Sequence, residues 1–155
     1  DDETAEKYLL FDSFANRQGF AWYELSNWAK PRGECRHNIA YWNGSNWWGV
    51  GPGAHSHIDG KRWWNVKHPN NYKAKLDSFE SPMLDREILT ADQIRDETIM
   101  LQLRLREGLD LSKLPESKIN VLDKFGDEIV IKENRAVLTL KGRLLADRIV
   151  RELVL

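Results

Sequence analysis

All seven tryptophans of this chain lie between Trp22 and Trp64, and all four histidines and the only cysteine lie between Cys35 and His68. That crowding constrains the fold more than any other feature. Adjacent residues of a strand point to opposite faces, so at most one ring of Trp47-Trp48, and one of Trp63-Trp64, can face a given site. The others must pack in a core or against another part of the protein. A core needs neither so many tryptophans close together nor imidazoles among them. The combination suits a flat, conjugated, partly charged ligand, with aromatic faces to stack it and a histidine to reach a metal.

Patterning around this segment predicts an α+β fold. Residues 2–18 read as a helix with an acidic start, which suits the positive end of the helix dipole. Ala5, Tyr8, Leu9, Phe11, Asp12 and Ala15 form its stripe, and Gly19 stops it. Residues 20–25 read as an aromatic strand and 26–46 as a long ordered loop. Two strand pieces, 47–50 and 54–58, flank a glycine-rich bend. Asp59-Gly60 is a hairpin signal with 61–66 as the return strand. Residues 69–81 read as a short helix and 82–90 as a linker. Residues 90–107 read as a helix capped by Thr90 or Asp92, with Ile94, Thr98, Leu101 and Leu105 on one face and Ile99 and Leu103 on a second. Beyond it come one or two short helices over 111–125, strands 129–131 and 136–140 around Glu133-Asn134-Arg135, and a last helix over 139–155. Helices, a hairpin and a helix make a winged-helix-like order.

At 155 residues the chain can bury one good core or two small ones. Its net charge of −1 gives no reason to expect nucleic acid or anionic lipid as a partner. From Arg86 onward 13 Lys/Arg stand against 13 Asp/Glu, which argues against a winged-helix regulator of DNA. One cysteine excludes an intrachain disulfide framework and points to a reducing compartment. No apolar run approaches the ~20 residues of a membrane span, and no signal peptide is expected. The chain opens on Asp1-Asp2-Glu3-Thr4 rather than Met, so it is expected to be processed or a piece of something longer.

His37 is open to two readings, a structural hydrogen-bonding residue or a ligand. It sits in a polar segment with Arg36 beside it and Tyr41 and Trp42 following. Arg36 could pair with a ligand carboxylate, and a neutral imidazole can ligate haem iron. Zinc held by Cys35, His37, His55 and His57 fits no structural zinc spacing; only His55-x-His57 could share a face. Gly49-Val50-Gly51-Pro52-Gly53-Ala54 has no following Lys-Ser/Thr and opens no long helix, so it is neither a P-loop nor a dinucleotide fingerprint. Its glycines can serve a tight bend or a close approach of backbone to a ligand.

His37-Asn38-x-x-Tyr41-Trp42 resembles the signature of the HemW group of radical SAM proteins, haem chaperones related to oxygen-independent coproporphyrinogen III oxidase. Tyr23-Glu24-Leu25-Ser26-Asn27-Trp28-Ala29, Gly49-x-Gly51-Pro52-Gly53-Ala54-His55-Ser56, and Trp64-Asn65 ahead of Tyr72 match the same group. So do Met100 to Leu109 and Leu138-Thr139-x-x-Gly142-Arg143-Leu144-Leu145-Ala146-Asp147. The resemblance covers essentially the whole chain but only the C-terminal part of the family's length. The family's three clustered cysteines for a 4Fe–4S cluster are not in this chain, nor is its Gly-Gly-Thr-Pro segment.

The resemblance implies the terminal helix-strand portion of a partial radical SAM barrel with trailing strands over 1–85, followed by a winged-helix-like domain over 86–155. It implies a full-length parent with haem, S-adenosyl-L-methionine and a 4Fe–4S cluster. That parent is expected to be cytoplasmic and to deliver haem to acceptor proteins, meeting membranes only through those acceptors. His37, Asn38, Tyr41 and Trp42 become candidate haem contacts, His37 on the iron, and Gly51, Gly53, Ala54 and His55 candidates for the SAM pocket. The rival within the family is the oxidase, which performs an oxidative decarboxylation in haem biosynthesis; the signature favours the chaperone. No catalytic residue is expected in this chain.

Overall fold

The structure is a computed structural model describing residues 2–155. In chain order its elements are α1 (Asp2–Arg17), β1 (Ala21–Glu24), β2 (Asn27–Ala29), α2 (Arg36–Trp42), β3 (His55–Ile58), β4 (Lys61–Asn65), α3 (Pro69–Asp77) and β5 (Met83–Ile88). There follow α4 (Ala91–Gln102), β6 (Leu109–Asp110), α5 (Glu116–Ile119), β7 (Ile129–Lys132), β8 (Arg135–Leu138), α6 (Leu140–Leu144) and α7 (Ala146–Val154). The mixed α and β composition is as expected. Contacts divide the chain into two compact units, one made of residues up to Asn43 with Arg95–Leu155, the other of Gly44–Ile94.

The Gly44–Ile94 unit is an antiparallel sheet in the order β3-β4-β5. Asp59 and Gly60 take left-handed φ values of 49° and 74°, the backbone a two-residue turn needs, and they join β3 to β4 as their sequence predicts. The expected linker at 82–90 is instead mostly β5. It pairs with β4 from Lys61↔Ile88 to Asn65↔Met83. Its six residues are all exposed, so no face had to be apolar and no alternation marked it. The expected strand at 47–50 reduces to one bridge, Trp47↔His57. Thr90 and Gln93 close a reciprocal cap at the start of α4: Gln93 N donates to Thr90 Oγ1 at 3.2 Å and Thr90 N to Gln93 Oε1 at 2.8 Å.

The other unit holds the main core. Ile99, Leu103, Leu109, Ile149 and Leu153 are fully buried and pack with Phe125, Ile129, Ala136 and Leu138. Each such side chain contributes about 1.5–3 kcal/mol by leaving water. A second small antiparallel sheet, in the order β6-β8-β7, supplies one wall. The helix expected to reach residue 107 ends at Gln102, because the backbone beyond it is claimed by β1: Arg106 N donates to Tyr23 O at 3.0 Å, and Leu105 bridges Glu24. The helix expected over 139–155 breaks at Leu145 (φ −112°, ψ 13°). The break lets Arg143 on α6 face α1, while α7 turns Ala146, Ile149, Val150 and Leu153 inward. The long loop expected over 26–46 contains β2 and α2, elements of three and seven residues that are too short to carry a period.

Candidate functional site

The His37 segment is a helix anchored from below. Glu24, almost wholly buried at the end of β1, accepts hydrogen bonds from Ser26 N at 3.1 Å and from the Asn27 side chain. Asn38 Nδ2 lies 3.4 Å from the same carboxylate and donates to Tyr23 Oη at 3.3 Å. Asn38 therefore ties α2 to β1. His37 and Tyr41, one turn apart, stay exposed. The imidazole Nε2 is 3.0 Å from the phenol oxygen, and the two rings meet edge-on at 4.9 Å. Binding a metal through Nε2 therefore exchanges the phenol for the metal. Trp42 is half-buried and Cys35, which precedes the helix, is exposed.

Beside α2 lies a cleft of about 410 Å³ with an apolar floor of Tyr23, Ile39 and Leu105. Arg32, Arg36 and Arg106 line it, with Glu34 and Glu107. Arg106 donates to Glu34 Oε1 at 3.2 Å. The Glu34 carboxyl is held below its usual range, first by its own backbone N–H and then by Arg106. Only Arg36 of these was singled out by its sequence context. Arg32 is four residues away from it and Arg106 seventy, so nothing local joins them.

The glycine-rich bend is held mainly by buried polar groups. Gly49 N donates to the Oγ of Ser56, which is fully buried, at 2.9 Å, and Asn65 Nδ2 donates to Gly51 O at 2.9 Å. Gly51 N donates to Tyr72 Oη at 3.2 Å and Gly53 N to Val66 O at 2.9 Å. A side chain at Gly49 would put Cβ 1.9 Å from His55 O, so that glycine serves a close backbone crossing. Gly51 (φ 112°) and Gly53 (φ 68°) are left-handed, and Gly51 has open space where a Cβ would stand. With these polar groups directed inward, the bend offers Val50, Pro52 and bare backbone to the outside. That suits the face of a flat ring and not a phosphate. Ala54 is half-buried, and His55 is exposed with its ring stacked on Trp64 at 5.7 Å.

Among the described residues no group of three or more His, Cys, Asp or Glu could hold a metal ion. No helix among them is long and apolar enough to cross a membrane. One polar cluster was not singled out as a site, although Trp28 and Arg143 fall in the family-matching stretches. Asp12 on α1 accepts from Trp28 Nε1 at 2.7 Å and from the buried Arg143 at 2.8 Å. The Arg143 guanidinium lies over the Trp22 ring at 4.5 Å. Burial pushes the Asp12 carboxyl up, but the bonds from Arg143 and Trp28 outweigh it and hold it below 3.8. The available signal was an aspartate inside the apolar stripe of α1.

No protein-family model matches the chain. It is 47% identical over 163 aligned positions to the heme chaperone HemW of Mycobacterium tuberculosis (strain ATCC 25618 / H37Rv), covering 99% of this chain and 40% of that protein. The chain belongs to the HemW group. The heme chaperone HemW of Synechocystis is 33% identical over 136 positions, covering 81% of this chain and 33% of that relative. This HemW-group chain thus spans well under half the length of the curated relatives it matches. Its fold resembles the solved structure described as coproporphyrinogen III oxidase (HemN) from Escherichia coli, a radical SAM enzyme. The TM-score is 0.67 at 18% identity over 94% of this chain and 39% of that one, a likeness of fold alone.

Proposed function

We propose that the protein carrying this chain is a radical SAM-type haem chaperone that binds haem and passes it to acceptor proteins. The observation that carries this reading is the exposed His37–Tyr41 pair on a short helix that buried Glu24 and Asn38 hold in place. A haem macrocycle would lie against the α2 surface with His37 on iron, Tyr41 and Trp42 at its side and Asn38 fixing the helix. The bend at Gly51, Gly53, Ala54 and His55 would form one wall of the S-adenosyl-L-methionine pocket, where bare backbone at Gly51 admits a planar nucleoside.

A 4Fe–4S cluster takes three or four cysteine thiolates, and this chain has one cysteine, so its residues do not fit the cluster. When bound by the family's clustered cysteines, that group would supply the electron for SAM chemistry; the residues here orient and shield. In this reading residues 1–85 end the partial barrel and 86–155 form a winged-helix-like module. That module's even charge suits packing or docking rather than DNA. The protein works in the cytoplasm.

The test is His37→Ala in the full-length protein, titrated with haemin and followed by the Soret band. A shifted spectrum and an affinity lower by about tenfold are expected. An unchanged spectrum and affinity remove His37 as a ligand.

A further inference from the structure

We infer that the cleft beside α2 receives the propionate carboxylates of haem, with Arg36 and Arg32 as the recognising groups. This rests on the haem reading and adds to it which part of the ligand goes where. Three arginines against two glutamates leave the cleft positive by one charge. Arg106 already answers Glu34. The Arg32 backbone N–H lies on Glu34, but no carboxylate among the described residues is hydrogen-bonded to the guanidinium of Arg32 or Arg36, so two guanidinium forks remain for a ligand, each suited to bidentate binding of a carboxylate. The floor is apolar: Tyr23 and Leu105 are buried and Ile39 half-buried. An apolar floor under a cationic rim matches an amphipathic ligand whose ring is greasy and whose charges sit on one edge.

The placement on α2 agrees. Successive residues of a helix diverge by about 100°, so Arg36 and His37 address different parts of one ligand. The iron lies at the centre of the macrocycle and the carboxylates at its rim. Arg32 is held at φ 65°, which is uncommon for a residue with a side chain, and such positions are over-represented at ligand clamps. The cleft volume of about 410 Å³ falls within the ~300–1,000 Å³ of small-ligand sites.

The S-adenosyl-L-methionine carboxylate is the other source of the same chemistry, so the experiment carries three ligands. The full-length protein and its Arg36→Gln, Arg32→Gln and double variants are titrated with haemin, with haemin dimethyl ester and with SAM. The ester keeps iron and macrocycle but has no carboxylates. The unaltered protein should prefer haemin over its ester by about tenfold, each single variant should lose about threefold for haemin, and the double variant should lose the preference. Ester affinity, SAM affinity and the Soret maxima of the saturated complexes should not change. Arg36→Lys should restore part of the preference, which a folding defect would not allow.

Equal affinity of the unaltered protein for haemin and ester overturns the inference while leaving haem binding intact. Equal losses for both haemins, or a loss for SAM alone, overturn it too. Failure of the unaltered protein to bind either haemin overturns the haem reading and this inference with it.

Discussion

Gly49 and Gly51 stand two residues apart and are needed for different reasons. At Gly49 a methyl group would collide with the His55 carbonyl, and backbone would have to move. At Gly51 nothing lies within 4 Å of an added Cβ, and only the left-handed φ of 112° resists it. Gly49→Ala should therefore cost more than about 2 kcal/mol in a thermal melt and Gly51→Ala about 1 kcal/mol. At this scale the bend was visible in the sequence, but which glycine makes the crossing was not, since His55 O reaches Gly49 only through the pairing of β3. The His37–Tyr41 contact gives a second expectation. Tyr41→Phe removes the phenol that engages Nε2, so haemin affinity should rise by about twofold at this exposed site. A fall instead would mean that the hydroxyl itself touches the ligand.

Between elements the decisive contact is Asp12–Arg143, which joins α1 to α6 across 131 positions of sequence. Both side chains are buried, so removing one leaves an uncompensated charge. Asp12→Asn should cost about 3 kcal/mol, and pairing it with Arg143→Met should cost less than the sum of the two. The pH dependence follows from the direction of the shift. The Asp12 carboxyl is held below 3.8, so its contribution is complete above that value and is lost as pH falls through the lowered one. Acid melts of the unaltered chain should show this loss below about pH 4, and Asp12→Asn should flatten it. Burial pushes the Tyr8 hydroxyl above 10.0, so its contribution holds in neutral solution and disappears only in strong alkali. Long elements were legible: α1 from its stripe and acidic start, α4 from the Thr90 cap, and the β7–β8 hairpin from its turn. What was hidden depended on partners far away. The end of α4 is set by β1, the break at Leu145 accompanies the turn of Arg143 toward α1, and β5 has no buried face to leave a pattern. At the candidate site, the signature marked His37 and Tyr41, but the role of Asn38 as a tie shows only once Glu24 is seen beneath it.

For the whole molecule, charge and cysteine count set the expectations. Anaerobic iron–sulfur reconstitution of this chain should yield no stoichiometric cluster, because a lone thiolate cannot hold one; a 4Fe–4S EPR signal with matching iron and sulfide would overturn that. In the unit containing Arg95–Leu155 the slowest amide exchange should fall at Ile99, Leu103 and Ile149, where burial is complete. The Gly44–Ile94 unit carries a different liability. Its outer strand, β5, is exposed along its whole length with Met83, Leu84 and Ile88 at its ends, a template on which another copy could stack. Asp85 blunts that template by turning its carboxylate onto the backbone N–H of Arg86 at 2.7 Å, occupying a donor that a stranger's carbonyl could seek. The Asp85 carboxylate thus bears on whether copies of this strand can pair. Its loss in Asp85→Ala would show first as light scattering that climbs with concentration while the melting temperature hardly moves.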